Sequence, residues 1–256
     1  MRCADFTKPG EIVFQTDATA PQAGPGEVLV SVKACGICGS DLHMFRDNSY
    51  RDKLVRETAE GYSVPGHEFA GTIAAIGEGV EGWQLGERVV GVTGMGGGMA
   101  ELVAVPVNPW QLVRIPEGLS FDLAATTEPL ADGLQMVRKG APADNENIVV
   151  IGVGIIGLGV IQAIGARGIL PARIIAVDVH SARLDKALEV GATHAINARD
   201  GDVFDQIAAI CGLEETYAGP SASVALVFDC AGYIRHMQGP PPLETALRLV
   251  VPGGRI

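Results

Sequence analysis

Basic residues are scarce in this chain of 256 residues: 19 Lys and Arg stand against 30 Asp and Glu, a net charge of −11. With no basic stripe to neutralise phosphates, a nucleic-acid partner is excluded, and an anionic membrane surface repels the chain equally. The opening residues, Met1 to Pro9, contain no apolar core of a secretory signal. Cysteine is too sparse and too irregular for a disulfide framework, because the five at 3, 35, 38, 211 and 230 leave one unmatched. The cytoplasm, a reducing compartment, is the expected location. Low-complexity tracts and a collagen period are also missing, so the 34 glycines are expected mainly at tight turns and close backbone approaches. One apolar run, 148–166, is long enough to suggest a membrane span, with Gln162 its one strongly polar residue. Its glycines at 152, 154, 157, 159 and 165 favour a buried strand running into a buried helix, so no membrane association is expected.

What is present points to a folded, two-part chain. Hydrophobic residues make up 47% and charged residues 19%, enough apolar material for a buried core. Up to about residue 115, β-branched runs at 28–33, 69–76, 88–92, 100–105 and 112–115 predict five short strands. Pro25-Gly26, Pro65-Gly66 and the stretch Gly94 to Gly98 punctuate them. Many strands with few helices imply a compact β-rich unit, a distorted barrel.

Beyond Pro116 the pattern changes. Residues 123–137 read as a helix, although Pro129 and Gly133 complicate it. Strands at 148–151, 174–177, 194–196 and 224–228 then alternate with helices at 155–167, 181–190, 202–211 and 243–250. That alternation predicts an α/β unit with a doubly wound parallel sheet and helices on both faces. Residues 252–256 read as the turn into a further strand, so the chain is expected to stop with this second domain incomplete. The division places residues 1–135 in the first domain and 136–256 in the second.

Gly152-Val-Gly154-Ile155-Ile156-Gly157 follows an apolar strand and opens an apolar helix. Gly152 permits a tight turn, Gly154 lets backbone approach a pyrophosphate, and Gly157 lets helix pack close to strand. The N–H groups of the helix start at Ile155 and Ile156 then face the anion. Asp178 ends the next strand, 21 residues after Gly157, where a carboxylate accepts from the ribose hydroxyls of NAD and repels the 2′-phosphate of NADP. The competing role for Asp178 is to cap the following helix, which Ser181 can also do. His180 and Arg183 lie close enough in sequence to meet a phosphate, which keeps NADP as the less favoured alternative.

Cys35-Gly-Ile-Cys38-Gly-Ser40-Asp41-Leu-His43 follows a predicted strand, and Gly66-His67-Glu68 begins another. An isolated Cys-x-x-Cys is compatible with a redox pair or half of a structural zinc site. No second pair exists to complete four thiolates. A thiolate, an imidazole and one or two carboxylates, the last including Glu128 of Glu128-Pro-Leu130, instead suit a catalytic zinc with an open position.

These motifs together resemble the medium-chain zinc alcohol and polyol dehydrogenases, sorbitol and threonine dehydrogenases included. Order and spacing agree across nearly the whole chain, Pro25-Gly-Glu-Val28 and Gly86-Glu-Arg-Val89 among them. The resemblance implies a GroES-like catalytic domain followed by a Rossmann domain. It makes Cys38 and His67 zinc ligands, Glu68 a ligand or near neighbour, and Glu128 a ligand directly or through water. By the same resemblance Asp41 accepts a hydrogen bond from His67, and Cys35 is packing. The lobe that often carries a second, four-cysteine zinc is missing, because 90–101 holds no cysteine; one zinc per chain is implied. Ser40 would take the substrate's hydroxyl proton and pass it through the cofactor ribose to His43 and solvent. The implied reaction moves hydride from a secondary alcohol, polyol, sugar or amino alcohol to NAD. The full-length form would be a homodimer or homotetramer. The alternatives are a zinc-free quinone or enoyl reductase on the same fold and a non-catalytic NAD-binding fragment.

Overall fold

The computed structural model describes residues 1–47, 64–94, 96–217, 219–231 and 240–256, so Met95 of the expected Gly94 to Gly98 loop lies outside the described residues. The chain forms two compact units, Met1–Glu128 and Pro129–Ile256.

In the first unit, β1 (Cys3–Lys8) and β2 (Glu11–Gln15) make an antiparallel hairpin turned at Gly10, whose φ of +77° suits glycine. The main sheet comprises β3 (Glu27–Cys35), β4 (Glu68–Ile76), β5 (Arg88–Val92), β6 (Leu102–Pro106) and β7 (Leu112–Arg114). These are the five expected strands. They run antiparallel in the order β6-β3-β4-β5-β7. No ladder joins β6 to β7 among the described residues, so this sheet stays open where a barrel was expected. Its apolar side packs Val28, Val30, Phe69, Ile73, Val89 and Val103 into one core. The hairpin was not expected, because Asp5 is buried in β1 where the alternation calls for an apolar residue. A helix at Gly39–Asp47 follows β3 and carries Ser40, Asp41 and His43.

The expected helix at 123–137 is two helices, Phe121–Ala124 and Thr127–Gly140. Pro129 falls in the first turn of the second, where its missing N–H is no loss. The second unit then alternates as expected: β8 (Asn147–Ile151), helix Ile155–Ala166, β9 (Arg173–Asp178), helix Ser181–Glu189 and β10 (His194–Asn197). After helix Val203–Cys211 comes an unpredicted hairpin, β11 (Leu213–Thr216) and β12 (Gly219–Ala222). The unit ends with β13 (Val224–Asp229), helix Pro242–Leu249 and β14 (Val250–Arg255). The five-stranded sheet has the order β10-β9-β8-β13-β14 and is parallel throughout. Residues 250–255 therefore form the strand that the sequence reading placed beyond the end of the chain.

Strand β8 shows why helices cover both faces. Ile148 and Val150 pack with Val160, Ile164 and Leu184 on one side, while Val149 and Ile151 pack with Ile207 and Leu249 on the other. Residues alternate across a strand, so a run apolar at every position is one buried on both faces. The apolar stretch 148–166 is thus a strand and a short helix. Among the described residues no helix is long and apolar enough to cross a membrane.

Helices Thr127–Gly140 and Ile155–Ala166 meet at Gly133, where an added Cβ would lie 2.9 Å from backbone atoms of Gly159 and Val160. Gly165, on the exposed side of its helix, has nothing within 4 Å of such a Cβ. Alanine gains up to about 1 kcal/mol over glycine in a helix, whereas overpacking costs about 1–3 kcal/mol. Gly133→Ala should therefore destabilise the fold while Gly165→Ala stabilises it by about 0.5–1 kcal/mol. Denaturant unfolding of both variants checks the opposite signs.

Candidate functional site

Strand β3 delivers Cys35 and the loop after it delivers Cys38; the turn at Pro65-Gly66 delivers His67 and Glu68 at the head of β4. Antiparallel pairing of Cys35 with Phe69 sets the two segments side by side, and Gly36 N–H donates to Glu68 C=O at 2.7 Å. A Cβ at position 36 would displace the Glu68 carboxylate from where it stands. One atom each of Cys38, His67 and Glu68 then lie within 4.8 Å of one another. His67 Nε2 stands 3.7 Å from Glu68 Oε1.

Asp41 holds this arrangement. Its side chain is buried, with Oδ2 accepting from Cys38 N–H at 2.8 Å and Oδ1 from Gly66 N–H at 3.0 Å. The expected hydrogen bond from the His67 ring is therefore replaced by two backbone bonds, one to each donor-bearing segment. Asp41 fixes the spacing of Cys38 and His67 through the main chain, and its charge acts on His67 only at a distance.

The electrostatics of the three groups are those of a cation site. A hydrogen bond with His67 lowers the Cys38 thiol below its ordinary value, against burial, and Ser40 adds to the lowering. The same bond pushes His67 up to about 9, again against burial, with the charges of Cys38, Asp41 and Glu128 contributing. Each member of the pair thus favours the charged form of the other, with buried Glu68 beside them. Thiolate, imidazole and carboxylate are the donor types of catalytic zinc, and their spread approaches that around an ion with bonds of about 2.0–2.3 Å. The donor set fits zinc.

Other expected residues fall around this cluster. Ser40 Oγ is shielded from solvent; beyond its part in lowering the Cys38 thiol it has no hydrogen-bond partner among the described residues, which leaves it capacity for a substrate hydroxyl. His43 is exposed on the same helix. Glu128, half-buried in the first turn of its helix, is outside the three-residue cluster but close enough for its charge to raise His67. Cys35 is pushed up to about 12 by burial and by Asp41 and Glu68. It is wedged between Gly66 and Gly98, a protonated packing thiol.

In the second unit the three glycines have separate tasks. Gly152 has a φ of +83°, and a Cβ on it would lie 2.6 Å from the Ala231 nitrogen. A Cβ on Gly157 would collide with the Gly152 carbonyl, which fixes helix against strand. Gly154 caps the helix Ile155–Ala166 with no side-chain bond and faces open space, leaving the N–H groups around Ile155 and Ile156 for an anion. The loop emerges from β8 beside β13, where the strand order reverses, the position at which such sheets bind dinucleotides. Here too the residues fit the implied group.

Asp178 is buried at the end of β9, but does not cap the next helix: Oδ1 accepts from Val179 N–H at 2.7 Å and His180 N–H at 3.0 Å. Its Oδ2 accepts from Val153 N–H at 2.9 Å, within the glycine loop, and Arg183 Nη1 lies 3.8 Å away. The sequence signal gave its location and missed these backbone bonds, which have no side-chain signature.

Residues 24–117 match the family model described as an alcohol dehydrogenase GroES-like domain, and residues 155–256 match that of a zinc-binding dehydrogenase. The chain is 36% identical to the (R,R)-butanediol dehydrogenase of Bacillus subtilis (strain 168) over 217 residues, covering 73% of this chain and 61% of that protein. It is 31% identical to the starvation-sensing protein RspB of Escherichia coli (strain K12), over 100% of this chain and 75% of that protein. A solved structure described as a short chain alcohol dehydrogenase from E. coli CFT073, complexed with NADH, is 29% identical. It superposes with a TM-score of 0.80 over 100% of this chain and 74% of its own. The chain thus spans under two thirds of the first of these proteins and about three quarters of the other two.

Two outcomes are expected of zinc binding. Asp41→Ala releases both donor segments, so zinc affinity should fall about 10–100-fold, with Asp41→Asn between it and the parent; competition against a chelator measures both. Zinc must also displace the proton that His67 keeps, in the metal-free chain, up to about pH 9. Affinity should therefore rise with pH by about tenfold per unit and level off above that value. An affinity flat from pH 6.5 to 9 would contradict a proton held that firmly on His67.

Proposed function

Because the chain belongs to the zinc-dependent medium-chain alcohol dehydrogenase family, we propose that it serves the NAD-linked oxidation of a secondary alcohol, polyol, sugar or amino alcohol. The observation that carries this reading is the convergence of Cys38, His67 and Glu68 beside the shielded hydroxyl of Ser40. Cys38, His67 and Glu68 would hold one zinc, with Glu128 completing the set directly or through water. When bound, zinc supplies Lewis acidity to the alcohol oxygen and NAD supplies the hydride acceptor. A zinc-free reductase on this fold would have no use for the three donors.

The chain's own residues then have definite tasks. Asp41 keeps Cys38 and His67 in register, so the donors need little reorganisation. Ser40 Oγ takes the proton of the substrate hydroxyl as it gives up its own, and His43, exposed on the same helix, delivers the relayed proton to water. Gly152, Gly154 and Gly157 shape the pyrophosphate cradle, and Ile155 and Ile156 donate their backbone N–H groups to it. Asp178 offers remaining acceptor capacity to the ribose, which supports NAD. Arg183, half exposed beside it, is the group that NADP would engage.

The test is turnover by the parent, Cys38→Ala and Ser40→Ala on a panel of polyols and amino alcohols, with NAD and NADP. Cys38→Ala should lose zinc and activity together. Ser40→Ala should keep its zinc and lose about 10²–10⁴-fold in kcat. Full activity in a zinc-free Cys38→Ala chain would overturn the proposal.

A further inference from the structure

The bonds around Asp178 assign it a second task, which rests on the dinucleotide reading just given. An ionised carboxylate offers about four acceptor positions. Three of those on Asp178 are taken by the backbone N–H groups of Val153, Val179 and His180. One position on Oδ2 is left, and Arg183 Nη1 stands 3.8 Å from that oxygen. Asp178 is thus committed mainly to the protein itself.

Its partners belong to two loops. Val153 lies between Gly152 and Gly154, and its side chain is fully buried. Gly152 N–H donates to Val177 C=O at 2.8 Å, so the end of β9 holds two successive residues of the glycine loop. On its other side the same carboxylate orders the turn into helix Ser181–Glu189. Removal of the carboxylate would leave the Val153 N–H without its acceptor, in a loop whose shape depends on a left-handed glycine at 152.

We propose that Asp178 is a positioning residue that keeps the pyrophosphate loop in its binding shape, and that this task outweighs its choice between ribose hydroxyls and a 2′-phosphate. A residue that acts only on the ribose gives a different result on substitution: NAD affinity falls and NADP affinity rises. A residue that positions the loop gives losses for both, because both dinucleotides place the same pyrophosphate on it.

The experiment measures NADH and NADPH binding by fluorescence, and Val153 amide exchange without cofactor, in the parent, Asp178→Ala and Asp178→Asn chains. Asp178→Ala should weaken both dinucleotides by roughly ten- to a hundredfold and speed exchange at Val153. Asp178→Asn keeps one carbonyl acceptor, so it should recover part of the affinity and part of the protection. That graded rescue keeps the test informative if the alanine variant fails to fold. NADPH binding more tightly to either variant than to the parent, with Val153 still protected, would overturn the proposal. Failure of the parent to bind either dinucleotide would strike the functional reading instead, while the exchange measurement still reports on the loop.

Discussion

The candidate metal centre depends on a carboxylate that faces no ligand. Asp41 is buried, and its two oxygens hold the backbone N–H groups of Cys38 and Gly66, which belong to segments 25 residues or more apart in the chain. Those segments carry the thiolate on one side and the imidazole and second carboxylate on the other. A carboxylate buried at this depth is tolerable only when it is hydrogen-bonded. The fold meets that condition with the two bonds that set the spacing of the donors, so removal of Asp41 would loosen both segments together.

The same logic recurs in the second unit. There Asp178, also buried, bonds the glycine loop and the turn that follows its own strand. In both units a buried acid that the sequence marks as functional bonds main chain of its site, Cys38 and Gly66 N–H in the first and Val153 N–H in the second. Backbone N–H bonds to a carboxylate are strong and have little freedom to reorganise, which suits sites whose job is to hold a shape.

Much of this was legible in the residues, for identifiable reasons. Strands β8, β9 and β13 are apolar at nearly every position because both their faces are buried, and such runs are hard to misread. The donors Cys38, His67 and Glu68 stood in short motifs whose types announce their chemistry. What escaped lacked that contrast. Strand β11 is exposed along most of its length and β12 contains a proline, so neither shows an apolar alternation. The hairpin of β1 and β2 buries an aspartate and exposes Phe14, the reverse of the usual pattern. The helix Gly39–Asp47 is polar and short, and its sequence reads first as a metal motif. The roles of Asp41 and Asp178 escaped because a bond to backbone depends on where the chain passes, and that is decided by the sheets.

In the proposed site one thiolate, one imidazole and at least one carboxylate of this chain share a single zinc. X-ray absorption at the zinc edge, on the purified chain loaded with one equivalent, reads the donor atoms directly. The proposed site requires one sulfur neighbour, with nitrogen and oxygen supplying the rest. A shell of two or more sulfurs would mean that Cys35 binds beside Cys38, and a shell without sulfur would place the metal elsewhere; either result would contradict it.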